Sequence, residues 1–360
     1  MKKIAVQTFW TSQYNYGQIL QGYALQQFLK LNGYDACIIR FDSILSQLKE
    51  KILICLKGKL LADNKQRQLR HFDEFKKQHI LYSQKFYGTF HSLQKNPPEA
   101  NYYIVGSDQV WAYMRNKERR NGYLLRFGNK KVIKLAYAAS FGRNELELNE
   151  IGDFIEALKD FSFVGVREES GMKICNNLGI KSYWVIDPVA LLTANEWKQI
   201  AASITLAEGN KEKMFLYSLT SSIQNSSICE ILDYFSKKYT LYYANSSELF
   251  DSRMNVSPTI EEWISYINSC DCIVTDSFHC TLFCIIFQKK FVTIKRHNGE
   301  KMNNRLISLL SRLNLLDRYI DVSCNTIERM LTEKIDWEFV NTEFKRWQDN
   351  SKQLLLNELI

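Results

Sequence analysis

The sequence predicts an α/β protein of two domains, and three observations carry that reading. Short β-branched and aromatic runs alternate with apolar segments of helical period, the rhythm of βαβ units and parallel sheets. The 360 residues exceed what one core usually serves. Polar residues follow strand after strand at one edge, where doubly wound sheets build their pockets.

Lys3 to Phe9 reads as the first strand, and the polar loop Trp10 to Tyr16 leads into a helix. Leu20, Ala24, Leu25, Phe28 and Leu31 recur there at helical spacing, and Gly33 closes it before the strand Asp35 to Phe41. Asn15, Tyr16 and Gly17 stand at the helix N-terminus, a natural anion site; Gly17 serves equally as a permissive turn residue. Residues 43 to 80 read as a long basic helical region. Its apolar face, flanked by Lys49, Lys51, Lys57, Lys59 and Lys65, either packs on its own domain or makes a peripheral contact with an anionic membrane.

Pro97 and Pro98 mark a loop before the strand YYIVGSD, which ends at Asp108 and Gln109. The strand Lys134 to Ala138 runs into Ser140 and Arg143. A helix from Ile151 to Phe161 and a strand from Phe163 to Val166 follow, with Arg167 and Glu168 on the carboxyl side. Ser170 opens a helix closed at Gly179, and Tyr183 to Ile186 runs as a strand into DPVALL.

EGNKEK, residues 208 to 213, is the most polar and least periodic short segment in mid-chain. It divides an N-terminal Rossmann-like domain, 1–207, from a C-terminal one, 208–335. The rest, 336–360, reads as an amphipathic helix bracing the two. The second series runs strand Met214 to Leu219, helix from about Gln224 to Lys238, strand Thr240 to Ala244, and helix Ile260 to Asn268.

Next comes CDCIVTDSFHCTLFCIIFQKKFVTI: a strand Ile273 to Thr275, a loop at Asp276 and Ser277, an apolar helix Phe278 to Phe287, and a strand Phe291 to Ile294. His279 falls in the first turn of that helix, where unpaired N–H groups and about half a positive charge attract anions. A phosphate or carboxylate bound beside it would favour the imidazolium, as a general acid requires. A hydrogen-bonded histidine without a chemical task is the plainer reading. Asn303 to Leu313 is a further helix.

Composition excludes several classes. With 46% hydrophobic and 24% charged residues and a net charge of +8, the chain reads as soluble and globular. Local basic groups (Arg115, Lys117, Arg119, Arg120; Lys289, Lys290, Lys295, Arg296) suit small anions, and no nucleic-acid module is present. Nine scattered cysteines point to reduced thiols and a cytoplasmic setting. No secretory signal and no run of about 18 apolar residues occurs. Cys270 and Cys272 lie roughly 10 Å along a strand from Cys280 and Cys284, too far apart to share one metal ion with His279. P-loop, dinucleotide and nucleophile-elbow motifs are missing.

Taken in order, NYGQILQGYALQ, VGSDQVW, YAASFG, VREESG, DPVALL and VTDSFHCTLFCIIF with KKFV resemble the polysaccharide pyruvyl transferase family, from about Gln7 to about Arg305. The resemblance implies a GT-B-like fold, two Rossmann-like domains facing a cleft. It also implies transfer of pyruvate from phosphoenolpyruvate, a co-substrate with no further cofactor, onto two hydroxyls of a sugar as a cyclic ketal. The acceptor would be a glycan, free, polymeric or lipid-linked, handled in the cytoplasm or at the inner face of the membrane. On this basis His279 is expected as the acid, or as a phosphate-binding group that becomes cationic with it, and Asp108 as the base. Arg167, Ser277, Asn15, Ser140 and Lys295 are expected to bind substrate. Many members carry Arg two residues before the histidine, where this chain has Ser277. Arg167, Lys295 or Arg296 would then supply the charge. A GT-B nucleotide-sugar glycosyltransferase is the alternative, and a non-catalytic carbohydrate-binding protein a third reading.

Overall fold

The computed structural model describes residues 1–42, 70–112, 116–222, 225–247, 251–296 and 300–360. The basic stretch 43–69, and with it the proposed membrane face, lies outside them. Apolar runs such as Tyr102–Val105 and Cys272–Thr275 are buried at every position, as strands of parallel sheets covered on both faces must be.

Two parallel sheets result. The first holds β1 (Lys3–Gln7), β2 (Asp35–Phe41), β3 (Tyr82–Tyr87), β4 (Tyr102–Val105), β5 (Ile133–Ala139), β6 (Phe161–Val166) and β7 (Tyr183–Trp184), in the order β3-β2-β1-β4-β5-β6-β7. The second holds β8 (Lys213–Ser218), β9 (Thr240–Asn245), β10 (Cys272–Thr275), β11 (Lys290–Ile294) and β12 (Tyr319–Ile320), in the order β12-β11-β10-β8-β9. The helices of the first lobe are α1 (Tyr16–Leu31), α2 (Phe72–His79), α3 (Phe90–Lys95), α4 (Lys117–Tyr123), α5 (Leu148–Leu158), α6 (Glu169–Asn177) and α7 (Ala194–Ile200). Those that follow are α8 (Ser226–Phe235), α9 (Ile260–Ser269), α10 (Phe278–Ile286), α11 (Glu300–Arg312), α12 (Cys324–Thr332) and α13 (Trp337–Asn357). Strand order reverses between β1 and β4 and between β8 and β10. Ligands of such sheets bind at these switch points.

Several boundaries differ from those the residues suggested. β1 stops at Gln7, because Thr8 turns its hydroxyl to the Ser107 carbonyl at 3.1 Å. α5 starts at Leu148, where Glu147 and Glu150 form a capping box. β7 is an edge strand of two residues: Val185 N still donates to the Val166 carbonyl at 3.0 Å, while Ile186 N turns to Ser351 Oγ at 3.0 Å. β3 was not expected at all: it is an edge strand exposed at Gln84, Lys85 and Phe86, and so lacks an apolar signature.

The lobes are packed on each other. Tyr16 of α1 stacks on Trp263 of α9 with ring centroids 5.1 Å apart, meets Tyr217 of β8 edge-on at 5.7 Å, and donates its hydroxyl to the Pro258 carbonyl at 2.7 Å. A single apolar cluster runs through both. α13 leaves the second sheet and docks on the first lobe, where Trp347 donates to the Trp184 carbonyl at 3.3 Å. The last residues continue that contact, with the Tyr34 and Tyr102 hydroxyls each reaching a terminal carbonyl at 2.7 Å. Arg312 of α11 lies between Trp184 and Trp347, 4.6 and 4.4 Å from their centroids. Among the described residues no helix is long and apolar enough to cross a membrane.

Because Trp263 is fully buried where α1 meets the second lobe, Trp263→Ala is expected to destabilise the protein by about 3–5 kcal/mol. Denaturant unfolding checks this; a loss under about 1 kcal/mol would show that the aromatic stack does not hold the lobes together.

Candidate active site

β4 and β10 lie on either side of the seam, each at a switch point of its own sheet, and each ends in a polar loop. In the second lobe, Thr275 anchors the loop by donating to the Tyr217 carbonyl at 2.6 Å and accepting from Ser277 N at 3.1 Å. Ser277 then caps α10, accepting from Cys280 N at 3.3 Å. His279 is thereby fixed in the first turn and is only 6% exposed. The first lobe presses α1 against its ring: a Cβ added to Gly17 would fall 2.1 Å from His279 Nδ1. Gly17 is therefore needed for close approach, not for a turn.

Facing the ring is Asp187, which follows β7 and was passed over as part of DPVALL. It accepts from Arg167 Nη1 and from the Ser107 hydroxyl, each at 2.8 Å, and its Oδ2 lies 3.6 Å from His279 Nε2, an ion-pair rather than a hydrogen-bond distance. Burial alone would raise the Asp187 carboxyl, but His279 and then Arg167 outweigh it and hold it well below the usual carboxylate range. Asp108 sits at the carboxyl end of β4 with φ of 72°, a left-handed conformation that Asp tolerates better than most residues. It accepts from Gln18 Nε2 at 3.1 Å and lies 3.6 Å from Arg167 Nη2 and 3.9 Å from Arg305 Nη1. Burial opposes its charge too, and Arg167, His279 and Arg305 together bring its pKa down.

Arg305, on α11, is the residue hardest to choose from its place in the chain. It is buried, and burial together with the field of Arg167 pushes its pKa down to about 10. The Phe278 ring lies between two cations, 4.7 Å from the Arg167 guanidinium and 5.9 Å from that of Arg305. Asp108, within ion-pair reach of both guanidinium groups, offsets part of their mutual repulsion. Among the described residues Arg167 Nε and Nη2, Arg305 Nε, Arg296 Nε and Nη2, and His279 Nε2 are buried without a hydrogen-bond partner.

Of the expected residues, Asp108, Arg167 and His279 come together. Asn15 caps α1, accepting from Gln18 N at 3.2 Å, and Ser277 caps α10. Ser140 donates to Glu168 Oε1 at 2.9 Å and so steadies a carboxylate 4.0 Å from Arg167. Lys295 is turned elsewhere, to Asp321 at 2.9 Å. Of the cations expected to supply the charge, Arg167 stands in this cluster, and Arg296 has buried N–H groups without a hydrogen-bond partner. Among the described residues no group of three or more His, Cys, Asp or Glu could hold a metal ion. An open depression of about 660 Å³ at the start of β5 lies at the other end of the first sheet. Its charges answer one another, with Arg126 and Glu156 2.8 Å apart.

Asp187→Asn removes a buried counter-charge and is expected to cost about 3–5 kcal/mol near neutrality. A depressed carboxylate contributes stability that is full above the unfolded value of about 3.9 and fades as pH falls below it. The gap between wild type and variant should therefore be flat above pH ~5 and narrow below pH ~4. Unfolding curves between pH 3 and 7 measure it, and a gap that does not change with pH would remove the ionised Asp187 from the account.

Structures similar to this one include the UDP-GlcNAc 2-epimerases of Methanocaldococcus jannaschii (TM-score 0.50, 12% identity, 99% of this chain and 100% of the other) and Neisseria meningitidis (0.51, 9%, 100% and 99%). The UDP-N-acetylglucosamine 2-epimerase of Rickettsia bellii is also similar (0.54, 7%, 99% and 96%). Such low identities establish the fold alone, which is GT-B, in agreement with the expectation. Among curated proteins none matches the chain in sequence. The family described as polysaccharide pyruvyl transferase matches residues 15–298, a span that takes in Asp108, Arg167, Asp187 and His279. The chain belongs to the polysaccharide pyruvyl transferase family.

Proposed function

We propose that the protein transfers pyruvate from phosphoenolpyruvate to two hydroxyls of a glycan, forming a cyclic ketal. The observation that carries this is a buried histidine nitrogen without a hydrogen-bond partner, beside guanidinium groups that have N–H donors to spare. A small dianionic donor that must be protonated on carbon suits such a place. Arg167 and Arg305, with Arg296, grip the donor's carboxylate and phosphate. His279, facing Asp187, delivers a proton to the methylene carbon. A sugar oxygen bonds to C2, the C2–O bond to phosphate breaks, and the second hydroxyl closes the ring. Of the two hydroxyl protons displaced, one is matched by the hydrogen gained at the new methyl group and the other leaves with phosphate. Asp108, which accepts from Gln18 Nε2, serves as the base for the acceptor hydroxyl. Its depressed pKa means it receives that proton in passing and does not keep it.

We place the reaction in the cytoplasm, at the inner face of the membrane if the acceptor is lipid-linked. The free thiols of the eight described cysteines are compatible with a reducing compartment. The GT-B fold keeps a nucleotide-sugar glycosyltransferase as the second reading, because similar structures hold UDP-sugars.

Purified protein incubated with phosphoenolpyruvate and a panel of glycans should release phosphate only when an acceptor is present. His279→Ala should lower that rate by about 10²–10⁴-fold and leave the fold intact. Turnover with a UDP-sugar and none with phosphoenolpyruvate would decide for the second reading.

A further inference from the structure

A second buried cation lies at the seam between the lobes. Arg70, just before α2, is fully buried, yet among the described residues no carboxylate stands within ion-pair distance of it. Its Nη2 reaches only the sulfur of Met254, at 3.5 Å, and its guanidinium stands 5.8 Å from the centre of the Tyr14 ring. Nε and Nη1 have no hydrogen-bond partner. A buried charge in this condition is a cost to the fold, and an apolar side chain of similar volume would fill the space better. The charge is better explained by a ligand than by packing.

The surroundings say where that ligand would lie. Tyr14 belongs to the first lobe and Met254 to the second, and Ser246 at the end of β9 donates its hydroxyl to the Tyr14 carbonyl at 3.0 Å. Ser246 also bonds the Tyr217 hydroxyl, a phenol on which the charge of Arg70 acts as well. Its field reaches the phenol of Tyr16, whose pKa burial raises to about 12 against the pull of Arg70. Tyr16 adjoins Gly17, which backs His279. Chain reach puts the Cα atoms of Tyr14 and Gly17 at most about 10 Å apart. Lobes that part to admit substrate to His279 would uncover Arg70 in the same movement.

We infer that Arg70 binds a phosphoryl group carried by the acceptor, a sugar phosphate or a diphosphate-linked sugar whose ring extends toward His279. Two donors left open on a rigid planar fork suit an oxyanion. The inference rests on the pyruvyl-transfer reading only for what bears the phosphoryl group.

The test compares wild type, Arg70→Met and Arg70→Lys, each as the full chain. Unfolding temperature is measured without ligand, and affinity is measured for a hexose 1-phosphate, inorganic phosphate and phosphoenolpyruvate. Without ligand, Arg70→Met should unfold at the same temperature as wild type or higher, which a structural arginine would not allow. Its affinity for the hexose 1-phosphate should fall at least tenfold, with a smaller loss for Arg70→Lys, while phosphoenolpyruvate binds within twofold of wild type. An Arg70→Met protein that fails to fold or melts earlier would overturn the inference, as would unchanged hexose 1-phosphate binding. A tenfold loss for inorganic phosphate alone would overturn the acceptor assignment. Phosphoenolpyruvate that neither binds nor turns over with wild type would refute the pyruvyl-transfer reading and leave the Arg70 comparison valid in its own right.

Discussion

The contact on which the rest depends is the pairing of charges across the seam: Asp187 and Asp108 from the first lobe against His279 and Arg305 from the second, with Arg167 between them. Out of water each of these groups alone would be costly; Arg167 compensates the two carboxylates within the first lobe, and His279 and Arg305 add to this across the seam. Burial opposes both carboxylates, and Arg167 of their own lobe together with His279, and for Asp108 also Arg305, brings them back to the ionised form. The full set of charges is present where the two lobes meet.

This arrangement explains why the apolar scaffold is built so tightly around it. The Tyr16 and Trp263 stack sets how closely α1 meets the second lobe, and Gly17 one residue on lets the helix touch the His279 ring. Arg312 between Trp184 and Trp347 ties α11, which carries Arg305, to the first lobe and to α13. Each packing device ends at a charged residue of the site. The buried N–H groups on Arg167, Arg305 and Arg296 that lack a hydrogen-bond partner are what this scaffold leaves unsatisfied.

Much of this was legible in the residues. His279 stood out because a strand, two polar residues and a wholly apolar helix leave little doubt about where the ring lies. Arg167 and Asp108 were found by the same rule, polar groups at strand ends. Arg305 was not, because a cation on an amphipathic helix looks like any surface charge until the sheet that buries it is known. Asp187 was hidden in a proline-led turn, where capping accounts for an aspartate; its Oδ1 does accept from Val189 N at 3.0 Å, while Oδ2 faces the histidine. Lys295 stands after β11 as expected, and its side chain is turned to Asp321, a contact that strand position alone does not foretell. β3 escaped because an edge strand with three exposed residues has neither alternation nor an apolar run.

The most direct test is a crystal structure of the protein with phosphoenolpyruvate bound. The account predicts the donor's anionic groups between the Arg167 and Arg305 guanidinium groups, with its methylene carbon on the Nε2 side of His279. A donor held elsewhere in the molecule, or one whose methylene carbon points away from that ring, would contradict it.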